Sequence, residues 1–368
     1  MNDMTHSTTL MQASRQWSSR PDDERYTSLL DMQDHFHRVR AESRAFVSST
    51  RRIEALPVDV KGLQIVTDKT DMAVDPTHHA FGQLATLAKS PAGYLRTLPA
   101  PIAADCLNYG LKFKRDIDDV GLLTQHNGTH SLRAATGPNY GRIWNAEVVD
   151  ALVNRFGDGV VGPWKVPGEF GRDVPITKAN TTLYAGDRDM FVFLADERNR
   201  IEVPNRRNGQ PGMLARGFFV WNGEVGDRTF GLGTFLFDYV CMNRIVWGAT
   251  EYKEVKIRHT SGAPDRFLQQ MAPALQAMSN AATGNITQAI EAARQKRVDD
   301  DLDEFLGKRF GKSMIGPLKA IHEAEEGVPI RSVWDVTTAA TAYARSIPHQ
   351  DKRVELEREA GKLLKVAA

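Results

Sequence analysis

The spacing of apolar positions changes near residue 120 and again near residue 264, which divides the chain into three stretches. Over 27–43, Leu29, Leu30, Phe36 and Val39 fall towards one face, the period of an amphipathic helix. Loose alternation over 45–53 and a short apolar run at 62–66 predict two strands. A helical block follows over 76–113, carrying Phe81, Leu84 and Leu87. Pro91 and Pro101 sit where first-turn prolines belong, because an N–H there has no intrahelical partner to lose. The block closes on Lys112, Lys114 and Arg115, cations suited to the negative end of a helix dipole.

Beyond residue 120 the period shortens. Segments 120–125 and 131–135 flank His126-Asn127-Gly128 and predict a hairpin, since Asn-Gly accepts the positive φ of a tight turn. A short amphipathic helix is expected over 145–155 and a Gly/Pro-rich loop over 157–171. Runs at 181–185, 190–195, 214–221, 229–237 and 251–258 are β-branched or aromatic and predict strands. The last puts Lys253, Val255 and Ile257 on one face and Glu254, Lys256 and Arg258 on the other, so it has one solvent face. Gly231-Leu232-Gly233-Thr234 lies inside a strand and lacks the lysine of a phosphate loop; a bulge or a tight strand approach accounts for it. After 264 only helical periods remain, over 266–278, 286–297, 302–310, 315–325, 333–345 and 354–364. The pattern therefore predicts an α+β fold with a central, mostly antiparallel sheet flanked by helices. A flexible lead (1–25) precedes a core domain (26–262) and a helical C-terminal region (263–368).

Composition narrows the function classes. With 47 basic and 46 acidic side chains the net charge is +1, which excludes a strongly cationic coat but not a local basic face. Cys106 and Cys241 are far apart and outside any CxxC motif, which points to two buried residues in a reducing compartment and away from a thiolate zinc site. The lead has no signal-peptide core, and no run approaches the ~20 apolar residues of a membrane span. A cytoplasmic protein without membrane contact is expected. No spacing identifies a cofactor, a metal set or a catalytic set.

Three phrases in the β-rich centre carry a family resemblance. Asn222-Gly223-Glu224-Val225-Gly226 is followed by Val240-Cys241-Met242-Asn243, and Arg258-His259 comes shortly after. This resembles the domain-of-unknown-function family 932 of phage and plasmid proteins, whose members carry Asn-Ser-Glu-x-Gly, Val-Cys-x-Asn and a basic-His pair. Gly223 stands in place of the usual serine, so any role of that hydroxyl is absent. The match is most specific over 180–262. It implies a mobile-element protein acting near DNA replication, recombination or host defence.

Basic residues interleaved with aromatics form the main candidate site. Arg133, Tyr140, Arg142 and Trp144 lie in one short segment, with Lys112, Lys114 and Arg115 before it and Trp164 and Lys165 after. Single strands are held by cations along the phosphates and by rings on which bases stack. The same residues also suit a core in which the rings pack and the arginines pair with acids. A second cationic group comprises Arg206 and Arg207 on a turn, with Arg216, Lys253, Lys256 and Arg258 on flanking strands. It reads either as a basic groove or as charge that protects sheet edges.

These clusters, together with the resemblance, predict a non-enzymatic protein that binds single-stranded DNA in replication or recombination, possessing no cofactor and able to form homo-oligomers. One alternative is a metal-dependent nuclease using Asp238 with Glu254-Val255-Lys256, or with Glu251-Tyr252-Lys253. The other is a protein-binding inhibitor of a host defence system. Asp187, Asp189, Asp196 and Glu197 read as turn acids, and His259, with no nucleophile at a recognisable spacing, as a hydrogen-bonded structural histidine.

Overall fold

The computed structural model describes residues 20–367 apart from 71, 115, 168–173, 205, 207–208, 240–243, 248–254, 281–283 and 348–349. Strand β1 (Arg25–Tyr26) leads into helix α1 (Leu29–Glu42), which is capped by the Ser28 hydroxyl accepting the Asp31 N–H at 3.0 Å. Next come β2 (Ser43–Ser49), β3 (Ile53–Pro57), β4 (Leu63–Thr67) and β5 (Asp75–Pro76). The single strand expected over 45–53 is thus two, because a 3-10 turn at Thr50–Arg52 breaks it. Helices α2 (His78–Leu87), α3 (Ala92–Leu95) and α4 (Ala100–Phe113) form the helical block. The expected hairpin is β6 (Asp119–His126) and β7 (His130–Thr136), with Gly128 at φ +94°. Helix α5 (Asn145–Phe156) follows.

The remaining strands are β8 (Trp164–Lys165), β9 (Leu183–Ala185), β10 (Met190–Asp196), β11 (Ile201–Val203), β12 (Gly212–Asn222), β13 (Phe230–Asp238), β14 (Arg244–Trp247) and β15 (Val255–Ile257). They join β1 in an antiparallel sheet whose main path runs β1-β9-β10-β12-β13-β14. A smaller sheet, β2-β6-β7-β5, and the β3–β4 ribbon stand beside it. The chain ends in α6 (Ala263–Asn280), α7 (Gly284–Gln295), α8 (Leu302–Phe310), α9 (Ile315–Glu326), α10 (Val333–Ser346) and α11 (Gln350–Ala367). No helix among the described residues is long and apolar enough to cross a membrane.

Among the described residues, three large cores join helices to the sheets. Helices α1, α5 and α6 cover one face of the main sheet, where Phe36, Leu152, Phe267 and Met271 meet Val192, Leu194 and Val220. Helix α6 therefore packs with the core domain although the helical region was expected to begin at 263. A second core joins the far end of the sheet, through Leu214 and Leu236, to α7–α11 through Ile290, Leu318, Trp334 and Leu363. The third seats α2 on the small sheet and α4 on β3 and α2, through Leu84, Leu107, Leu122 and Leu132.

The other face of the main sheet is aromatic. Phe193, Phe219 and Trp221 lie nearly parallel, with centroids 5.6 and 5.2 Å apart. Trp221 sits opposite Gly231 across β12 and β13, and a Cβ at Gly231 would lie 1.9 Å from indole Cζ2. The glycine in this strand is thus a seat for a flat ring. Gly231→Ala is expected to cost about 1–3 kcal/mol through overpacking, read as a lower urea midpoint. An unchanged midpoint would mean that the indole is free to move aside.

Candidate functional site

The turn between β12 and β13 carries Asn222-Gly223-Glu224-Val225-Gly226, and polar groups from four elements converge on it. The Gly226 N–H donates to Gly223 O at 3.0 Å and closes the turn. Asn222, fully buried, donates through Nδ2 to Ile143 O and Asn145 Oδ1 at 2.9 and 2.8 Å. Glu224 is 2% exposed. Its Oε2 accepts the Asn145 N–H at 2.9 Å, at the first residue of α5. Trp144 occupies the N-cap position and has no side-chain acceptor, so Glu224 supplies the cap and places a negative charge at the positive end of the helix. The other carboxylate oxygen lies 2.8 Å from the Arg133 guanidinium.

Backbone carbonyls of the turn hold the aromatic segment. Tyr140 Oη donates to Gly223 O at 2.9 Å, and the Arg142 guanidinium donates to Glu224 O. From the α2 side, Gln83 Nε2 donates to Val225 O at 2.8 Å. The result is a ladder of alternating cations and rings. Arg40 lies 3.8 Å over Trp144, Arg142 lies 5.5 Å from Trp144 and 5.2 Å from Tyr140, and Tyr140 stacks on His259 at 4.9 Å. His259 Nδ1 faces Gly141 O at 3.1 Å, so Nδ1 carries the proton. Burial pushes the His259 pKa down, which keeps the ring neutral at pH 7. Burial likewise raises the Tyr140 hydroxyl and lowers the Arg142 guanidinium.

Arg133, Tyr140, Arg142 and Trp144 therefore meet, but Arg133 is buried and its charge is matched by Glu224. The second cationic group does not form a groove through Arg206 and Arg216. Arg206 is buried between Asp238 (3.1 Å) and Glu326 (2.7 Å), and Arg216 is buried on Asp196 at 2.8 Å. A guanidinium out of water needs a carboxylate beside it, and each of these three has one. Lys165 is half-buried on β8. Lys256 and Arg258 are exposed, and Ile257 between them is buried, as the alternation of β15 predicts. Lys112 and Lys114 are exposed at the end of α4, a helix that touches β3 and α2 rather than the ladder. Arg115, Arg207, Cys241, Glu251, Tyr252, Lys253 and Glu254 lie outside the described residues.

The turn acids are engaged too. Asp189 is held by Arg20 and Arg228, Asp196 by Arg216, and Glu197 by Arg200 and Tyr239. Arg20, Arg188, Arg228, His78 and Asp189 line a cleft of about 460 Å³ beside the same turn. Among the described residues no group of three His, Cys, Asp or Glu side chains is placed to hold a metal ion. Sequence spacing had not pointed to Arg40 or to Glu224 as the anchor, because their partners are about 80 or more residues distant. Comparison with protein-family models, with curated proteins and with solved structures finds no match for this chain.

Proposed function

We propose that this is a phage- or plasmid-type, DNA-associated protein that binds single-stranded nucleic acid, without catalysis, along the cation–ring ladder. The observation that carries the reading is Arg40, an exposed guanidinium lying on the half-buried ring of Trp144. A base that stacks on the indole displaces Arg40 and leaves its charge for the adjoining phosphate. An exposed cation–π contact is worth about 0.5–1 kcal/mol, whereas base–aromatic stacking is worth about 1–3 kcal/mol, so the exchange runs towards the base. Arg44 repeats the arrangement over Phe46 at 5.6 Å, four residues along the chain, and Arg38 is exposed nearby in sequence. Glu147, exposed on the first turn of α5, moderates the charge; desolvation is the largest influence on its carboxyl and raises its pKa.

The nuclease alternative gains no support, since the Asp238 carboxylate is committed to Arg206. The binding reading predicts that a labelled oligothymidine binds with an affinity that falls steeply as salt rises, with or without Mg²⁺. Arg40→Glu and Trp144→Ala are each expected to weaken binding about tenfold, as measured by fluorescence anisotropy. Absence of binding at low salt, or variants that bind as well as the parent, would sink it.

A further inference from the structure

Among the described residues, helix α4 buries one of its faces. Ala103, Ala104, Leu107 and Leu111 are buried in the third core, where α4 lies on β3 and α2, and at Gly110 a Cβ would lie 2.1 Å from Ala88 O. The opposite face is apolar and open: Ile102 is 50% exposed, Tyr109 56% and Phe113 69%. Half-buried Cys106 completes a series spaced four, three and four residues apart. That spacing is the a/d seam of a coiled coil, with Ile102 and Tyr109 at d and Cys106 and Phe113 at a. A seam of this kind on a water-exposed helix is a surface built to be covered.

The flanking charges specify what covers it. Exposed Asp105 and Lys112 both take the g position. In an antiparallel pair of identical helices, a meets d of the partner and g meets g. Cys106 then faces the partner's Tyr109, Ile102 faces the partner's Phe113, and Asp105 comes near the partner's Lys112. A two-fold axis between residues 107 and 108 aligns the apolar layers and leaves each Asp105 two positions from direct opposition to the partner's Lys112, an offset that a long lysine side chain spans. The e positions, Ala103 and Gly110, are closed by the protein's own body, so approach from the g side is the open route. Val60, 69% exposed, lies at the start of α4, where its carbonyl accepts the Ala100 N–H at 2.8 Å, and it extends the apolar surface.

We propose that α4 is the seam of a two-fold symmetric dimer, in which it pairs antiparallel with α4 of a second copy of this chain. The self-complementary pairing of one patch with itself is what a closed two-fold interface requires. This inference is independent of the ladder, and it assigns Lys112 to an interface between subunits instead of to phosphate.

Sedimentation velocity over a concentration series of the full chain tests it. The expected result is a reversible monomer–dimer equilibrium that Phe113→Glu abolishes while the far-UV circular dichroism stays unchanged. Asp105→Lys and Lys112→Asp place like charges across both g pairs, and each is expected to weaken the dimer about tenfold. The double variant restores opposite charges and is expected to recover it. A monomer at every concentration overturns the proposal, and so does a double variant no better than the single ones. If Phe113→Glu lowers oligonucleotide affinity in a protein that is monomeric throughout, the face is a nucleic-acid contact and the dimer is overturned.

Discussion

Arg206→Ala is expected to destabilise the protein by about 3–5 kcal/mol, the cost of breaking a buried ion pair from one side. The guanidinium is 2% exposed and lies between three elements. It precedes β12, donates through Nε and Nη2 to the Glu326 carboxylate at the end of α9, and reaches Asp238 at the end of β13. It also lies 5.5 Å from the Trp334 ring on α10. Its removal leaves two carboxylates facing each other away from water, so repulsion adds to the unpaired burial. Urea denaturation should show the loss, and proteolysis should show the C-terminal helices released from the sheet first. Arg206→Lys keeps the charge but gives up the planar fork, and it should fall between the parent and the alanine variant. A loss under about 1 kcal/mol for Arg206→Ala would mean that water reaches the triad and that the two cores are joined mainly by apolar contact.

Glu224→Ala is the second large effect, again expected at about 3–5 kcal/mol. It strands Arg133, removes the acceptor at the start of α5 and loosens the turn that holds Tyr140 and Arg142. Glu224→Gln preserves an acceptor for the Asn145 N–H and should cost about half as much, because the cap survives while the charge does not. The two variants also link stability to binding. If the ladder needs this anchor, oligonucleotide affinity should fall in Glu224→Gln while the protein is still folded. Retained affinity in a destabilised protein would detach the ladder from the turn.

Much of the architecture was legible residue by residue. The Asn127-Gly128 turn predicts its hairpin because positive φ is a local cost that glycine avoids, and Gly128 takes it. Alternation around Ile257 predicts which of its neighbours meet solvent, and Lys256 and Arg258 do. Gly231 and its neighbours point to a tight approach; the Trp221 ring is what approaches. Helix spacing after 264 foretells six helices in order. It does not reveal that α6 belongs to the first core, since an apolar stripe says that a face is covered and not by what.

Periodicity, capping and turn chemistry act over a few residues, so the chain by itself determined its longer elements and their order, while the two- and three-residue strands β1, β5, β8 and β11 exist only through their partners in the sheets. The fate of the arginines was decided only by the tertiary structure. Arg133 and Glu224, Arg206 and Glu326, and Arg216 and Asp196 are joined across 91, 120 and 20 positions. A guanidinium has the same composition and flanks whether it ends on a carboxylate in the core or on a ring at the surface. Desolvation separates these outcomes: a buried cation persists only where folding brings an anion to it. That juxtaposition belongs to the packed sheet and helices and leaves no mark in local spacing.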